Sequence, residues 1–301
     1  MSELFRVLVD VLTPVFAIVG IGYLVARRLT MDAATLSKIA YWVLGPAFIF
    51  DVLAGSDLDG SVVAKVVAAS LGTMIVVGGS VAVAARATRR TPAELGAIVL
   101  TSVHGNVGNF GIAIAAFAFG DAALPLAGIV MVTVNTAGIL VGVALATSHR
   151  SSPWIAVRTA FAAPMALAVI PAMAVNLSDV ALPVVVGRPV SLVAGALIPM
   201  MLLTLGIQLR QMDRPRVGQA VAIPLAAKLI ASPVVALGLI AVLDLHDLPA
   251  SVVVVQAAMP PAVFTSLIAL EHDMEPDLVT TIVLAGTLAS VITLPALLAM
   301  I

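Results

Sequence analysis

The chain has 301 residues, of which 61% are hydrophobic and 10% are charged, and its mean hydropathy is +1.18. Soluble domains carry about 25% charged residues, so these few cannot cover a water-facing surface and a soluble enzyme is excluded. A net charge of −1 leaves nucleic-acid binding without an electrostatic footprint, and the absence of cysteine excludes a disulfide-built secreted domain.

Ten apolar runs follow one another, at 5–26, 36–55, 61–85, 94–119, 122–147, 153–175, 188–208, 217–243, 248–270 and 277–300. A spanning helix needs about 20 apolar residues, and each run is near that length. The apolar positions go all round rather than alternating, which predicts an all-α polytopic membrane protein and not a barrel. The first run follows a poor basic leader, Glu3 and Arg6, and ends at Arg27-Arg28, so it reads as a span rather than a cleaved signal. The second run is interrupted by Pro46. The third run carries Lys65 near its start. The fourth carries His104-Gly105-Asn106-Val107-Gly108-Asn109. Each glycine there costs about 1 kcal/mol of helix stability relative to alanine. Asn106 and Asn109 place amides in the weakened turn, where they are expected to re-satisfy freed backbone groups and to meet a substrate, and His104 beside them could titrate or donate to an anion. Asn135 in the fifth run reads as interhelical glue.

A short linker near Ser148–Ser152 divides the chain into two five-helix halves, 1–148 and 152–301. In the seventh run, Pro199, Thr204 and Gln208 are candidates for one side of a cavity, as is Pro46. Lys228 lies in the middle of the eighth run. A charge there costs about 2.5–3.5 kcal/mol on insertion scales and is a functional hypothesis by default: it could neutralise a carboxylate or take the place of a coupling cation. In the ninth run, Met259-Pro260-Pro261 removes two backbone donors and breaks the helix, and Thr265 and Ser266 follow as candidate cavity residues.

Lys and Arg concentrate on one side. Arg27, Arg28, Arg86, Arg89, Arg90, Arg150, Arg158, Arg210, Arg214 and Arg216 fall in alternate loops, against Arg6, Lys65 and Arg188 on the other side. This bias predicts both termini outside. The halves also share punctuation: 60 residues separate Pro46 from Asn106, and 61 separate Pro199 from Pro260. Interrupted helices at matching places in two inverted halves point to a secondary-transporter binding site. If the breaks cross, half-helix N-termini converge on a site suited to an anion.

The same residues resemble the auxin efflux carrier family, whose plant members are the PIN-type auxin exporters. The resemblance runs in order through Pro14–Leu24, Lys38–Phe50, Gly105–Gly111, Pro199–Leu209, Ala258–Ala262 and Ser290–Pro295. It implies two inverted five-helix repeats. Spans one, two, six and seven would form a scaffold, and spans three to five and eight to ten a moving transport domain with spans four and nine crossing at its centre. Sodium–bile acid symporters share that architecture. The long hydrophilic loop of the plant proteins between spans five and six is absent, and Ala113 stands where many members have proline. Plant members also pair an acid with a Lys early in span three; the resemblance would make Lys65 that Lys and a candidate for charge compensation, although Ser61 stands four residues before it.

The function expected is an alternating-access carrier of small organic anions, such as auxin-like acids or dicarboxylates, in a bacterial cytoplasmic membrane. The alternative is a sodium-coupled symporter of the bile-acid type. A channel would need filter or charge rings, and a membrane enzyme a catalytic motif, and neither pattern appears. No cofactor or metal is expected beyond a coupling H+ or Na+. The partners expected are the anion and the bilayer, with a homodimer left open.

Overall fold

The computed structural model describes residues 6–88, 90–146, 153–178, 182–212 and 219–301. The linker around Ser148–Ser152, and Arg89, Arg150, Arg214 and Arg216 of the charge bias, lie outside the described residues. The described chain is helical, in this order: α1 (Leu8–Val25), α2 (Ala33–Ala54), α3 (Gly60–Ala87), α4 (Pro92–Val103), α5 (Val107–Phe119), α6 (Asp121–Leu145), α7 (Pro153–Phe161), α8 (Pro164–Ser178), α9 (Val184–Gln211), α10 (Ala220–Val242), α11 (Asp247–Ala257), α12 (Phe264–Glu271) and α13 (Pro276–Leu298). Seven of these, α1, α2, α3, α6, α9, α10 and α13, are long and apolar enough to cross a membrane. The other three apolar runs are each divided in two, as α4/α5, α7/α8 and α11/α12.

Proline shapes several of the long helices. A proline cannot donate to the carbonyl four residues back and clashes with it, so the preceding turn must open. Widened π-helical turns stand immediately before Thr13-Pro14, Gly45-Pro46 and Ser232-Pro233, at Leu8–Leu12, Ala40–Leu44 and Ala227–Ala231. Before Pro199 the helix is instead interrupted at Ala196. Asp32 caps α2 by accepting from the Ala34 and Thr35 amides. At the start of α4, Thr91 and Glu94 form a reciprocal capping box.

Packing divides the helices into two groups. In the first, α1 lies against α9, and α2 against α8 and α9. Small residues allow the closest approach. A Cβ on Gly22 would strike the Leu203 carbonyl, and one on Gly206 would strike the Val19 carbonyl. Asn176 of α8 donates to the Leu53 carbonyl (3.0 Å) and the Ser56 carbonyl (2.6 Å), holding the end of α2. In the second group, α3 packs on α4, α6, α10 and α11, and α13 on α4, α10 and α12. Both groups meet at α5, where Phe110 is fully buried and sets its ring edge-on to Phe16 of α1 at 5.7 Å. Outward faces stay apolar: Ile75, Val185, Leu192, Val242 and Ile292 are all more than 70% exposed, which suits a lipid-facing surface.

Candidate functional site: a crossing of two broken helices

The breaks α4/α5 and α11/α12 meet. Gly105 and Pro261 form an antiparallel bridge, the Asn106 amide donates to the Pro260 carbonyl (2.7 Å), and the Ala262 amide donates to the His104 carbonyl (2.9 Å). Non-helical backbone in a membrane protein is tolerated only where other groups satisfy it, and here each break satisfies the other. This corrects one expectation. The asparagine side chains do not repair the broken helix; the opposite segment does, which leaves the side-chain amides for other partners.

Four helix ends therefore converge, and they sort by polarity. The starts of α5 and α12 border a large cavity of ≈ 450 Å³, to which Gly105, Asn106, Gly108, Asn109, Ala262 and Phe264 contribute wall. Helix starts carry partial positive charge and free N–H groups, so this cavity is biased toward anions. The ends of α4 and α11 border a small chamber of ≈ 20 Å³, lined by Ser102, Val103, Gln256 and Ala257 among others, with Val107 at the start of α5 also on its wall.

The far wall of the large cavity is made by α2 and α9, through Ser37, Tyr41, Thr204 and Gln208. Gln208 Nε2 donates to Ser37 Oγ at 3.1 Å, and the buried Gln208 Oε1 has no protein partner among the described residues. Exposed Lys38 and Glu271 stand at the wall near the ends of their helices. Asn106 Nδ2 is buried without a protein partner. His104, 1% exposed, sits behind the wall: its Nε2 pairs with Asn135 Oδ1 at 3.1 Å, and its ring lies edge-on to Phe264 at 6.1 Å. The ring fits because residue 138 is glycine, where a Cβ would strike His104 Nδ1. His104 thus orients Asn135, whose side chain lines the cavity.

Of the sequence candidates, Asn106, Asn109, Thr204 and Gln208 share the large cavity. Met259, Pro260 and Pro261 are buried in the crossing and build it without lining either space. Thr265 and Ser266 are off both walls, because residues 262–266 turn into α12 and Thr265 spends its hydroxyl on the Ala262 carbonyl (2.6 Å). Pro46 and Pro199 shape their helices but line neither space. Lys65 is far from the crossing in its bonding: Nζ donates to the Asp244 carbonyl (2.9 Å), in the loop joining α10 to α11. Lys228 is 4% exposed, and its Nζ donates to the Ala257 carbonyl at 2.8 Å. That carbonyl ends α11, so the ammonium faces the negative end of a half-helix. Asn135, expected as interhelical glue, does bond across helices to His104 and also lines the cavity, whereas Ser37, Tyr41 and Gln256 were not among the site residues expected from the sequence. Gln256 alone carried a signal, standing just before the double-proline break. Among the described residues, no group of three or more His, Asp or Glu is gathered for a metal ion.

The profile of a family described as membrane transport protein matches residues 7–153 and 146–298. The chain is also 28% identical over 273 residues to a protein of Methanothermobacter thermautotrophicus named "uncharacterized transporter", covering 88% of this chain and 87% of that protein.

Proposed function

The chain belongs to the auxin efflux carrier family of membrane transport proteins, and from that premise we propose that it is an alternating-access carrier of small organic anions. The observation that carries the anion is the sorting of helix ends. Two half-helix starts border one large cavity, where Asn106, Asn109 and Asn135 add amide groups; among the described residues its charged side chains are Lys38 and Glu271, both exposed and one of each sign. A carboxylate there gains charge-assisted hydrogen bonds of about 1.5–3 kcal/mol each without a formal cation.

We read the fold as ten spans in two inverted five-helix repeats. The support is the matched spacing of the breaks and their crossing as a backbone pair. The packing supports a scaffold of α1, α2, α8 and α9, with α3–α6 and α10–α13 as the moving transport domain; α7 lies against α6. With both termini outside, as the charge bias suggests, the cavity bordered by Ser37, Gln208 and Glu271 lies toward the arginine-rich side, which supports reading it as open inward.

A stability screen of purified protein against mono- and dicarboxylates tests the reading, because a ligand bound to the folded state raises its melting temperature. At least one small carboxylate is expected to do so, and Asn106→Ala to lose that response while keeping the unliganded melting temperature. A wild type that responds to no carboxylate, with Asn106→Ala indistinguishable from it, contradicts the proposal.

A further inference from the structure

The small chamber behind the crossing is lined by several oxygen acceptors and by Lys228. Ser70, Thr73 and Ser102 line it, and each spends its hydroxyl proton on a carbonyl of its own helix, at Val66 (2.7 Å), Ala69 (2.8 Å) and Ile98 (2.7 Å). They can offer the chamber only oxygen lone pairs. Gln256, 1% exposed, lines the same space with neither amide atom partnered in the protein among the described residues. The Ala257 carbonyl adds the negative end of α11. Ser232 also lines the space, and the Lys228 ammonium reaches into it. It has three donors, of which one is used on Ala257, and among the described residues no carboxylate lines the chamber with it. A widened π turn at Ala227–Ala231 carries the lysine, and the missing side chain of Gly105 makes room: a Cβ there would lie 2.9 Å from Nζ. The residual ≈ 20 Å³ holds about one water.

We propose that this chamber is a monovalent-cation site whose cation is built in as the Lys228 ammonium, so that the carrier uses no free sodium or potassium there. The inference rests on the carrier reading for its meaning in transport, but the site itself does not require a substrate. Removing the ammonium while leaving the oxygens should create a vacancy for a free cation. Truncation to alanine opens that space; methionine removes the charge but fills it.

The test compares melting temperatures of wild type, Lys228→Ala and Lys228→Met in choline, sodium, potassium and ethylammonium chloride at constant ionic strength, without substrate. Wild type should not distinguish the four salts. Lys228→Ala should melt lower in choline and recover by about 3 °C or more in sodium or ethylammonium. Lys228→Met should not recover, and Gln256→Leu added to Lys228→Ala should abolish the recovery. If the alanine variant cannot be purified in choline, its recovery when purified in ethylammonium is the supporting result. Selective stabilisation of wild type by sodium overturns the proposal. So does an alanine variant that no cation rescues, or one rescued no better than the methionine variant. Because no substrate is present, a failure of carboxylate binding is scored separately.

Discussion

At the scale of single residues, the proposed site offers neutral amides held by buried neighbours. Asn106 and Asn109 sit where α5 begins and line the large cavity, so on the carrier proposal their amides and the helix start would meet the same bound group. Replacing either with alanine is expected to weaken carboxylate binding about 10- to 100-fold, the value of one charge-assisted hydrogen bond, as read by calorimetry. His104 acts through Asn135 rather than by touching the cavity. His104→Leu should therefore lower affinity while the protein still folds, and His104→Gln, which restores a donor, should recover part of it. Equal losses in both variants would reduce His104 to packing. Asn106 and Asn109 were legible in the sequence because they interrupt an apolar run beside glycines. Asn135 was not, because a lone asparagine in an unbroken helix looks the same whether it bonds a neighbour or a ligand. Lys228 stood out as a mid-run charge, but its partner is a main-chain carbonyl, which no side-chain pattern announces.

At the scale of elements, proline and glycine decide where helices open and how closely they pack. The two breaks were readable from composition; their mutual repair through Asn106–Pro260 and Ala262–His104 backbone bonds was not, since pairing between distant segments leaves no local trace. Pro46 and Pro199 accompany distortions of their helices and line neither space. Their effect falls on the preceding turn, while the wall is made by Ser37, Thr204 and Gln208. The α1–α9 contact yields a sharp prediction. Gly206→Val would drive side-chain atoms onto the Val19 carbonyl, so the helices must separate. Overpacking of this kind costs about 1–3 kcal/mol, and the melting temperature should fall accordingly. The same substitution at Gly79, where nothing lies within 4 Å, should be nearly silent.

At the scale of the whole molecule, the proposed alternating access requires the two packing groups to move against each other around the crossing. Apolar composition alone made the all-helical membrane class legible, because too few charges exist to build anything else. The way the helices partition was not legible, since residues facing lipid and residues facing another helix are equally apolar. The absence of native cysteine makes the motion measurable. Ser37 and Glu271 border the cavity from α2 and α12, elements assigned to opposite groups. Spin labels at these positions should show two distance populations whose ratio shifts on adding the carboxylate found by the stability screen. The measurement that bears most directly on the carrier claim is counterflow in proteoliposomes preloaded with that carboxylate. The account predicts saturable, transient accumulation of external labelled substrate, abolished by Asn106→Ala. Non-saturable flux carried as an ohmic current, or no accumulation by wild-type protein that binds the ligand, would contradict it.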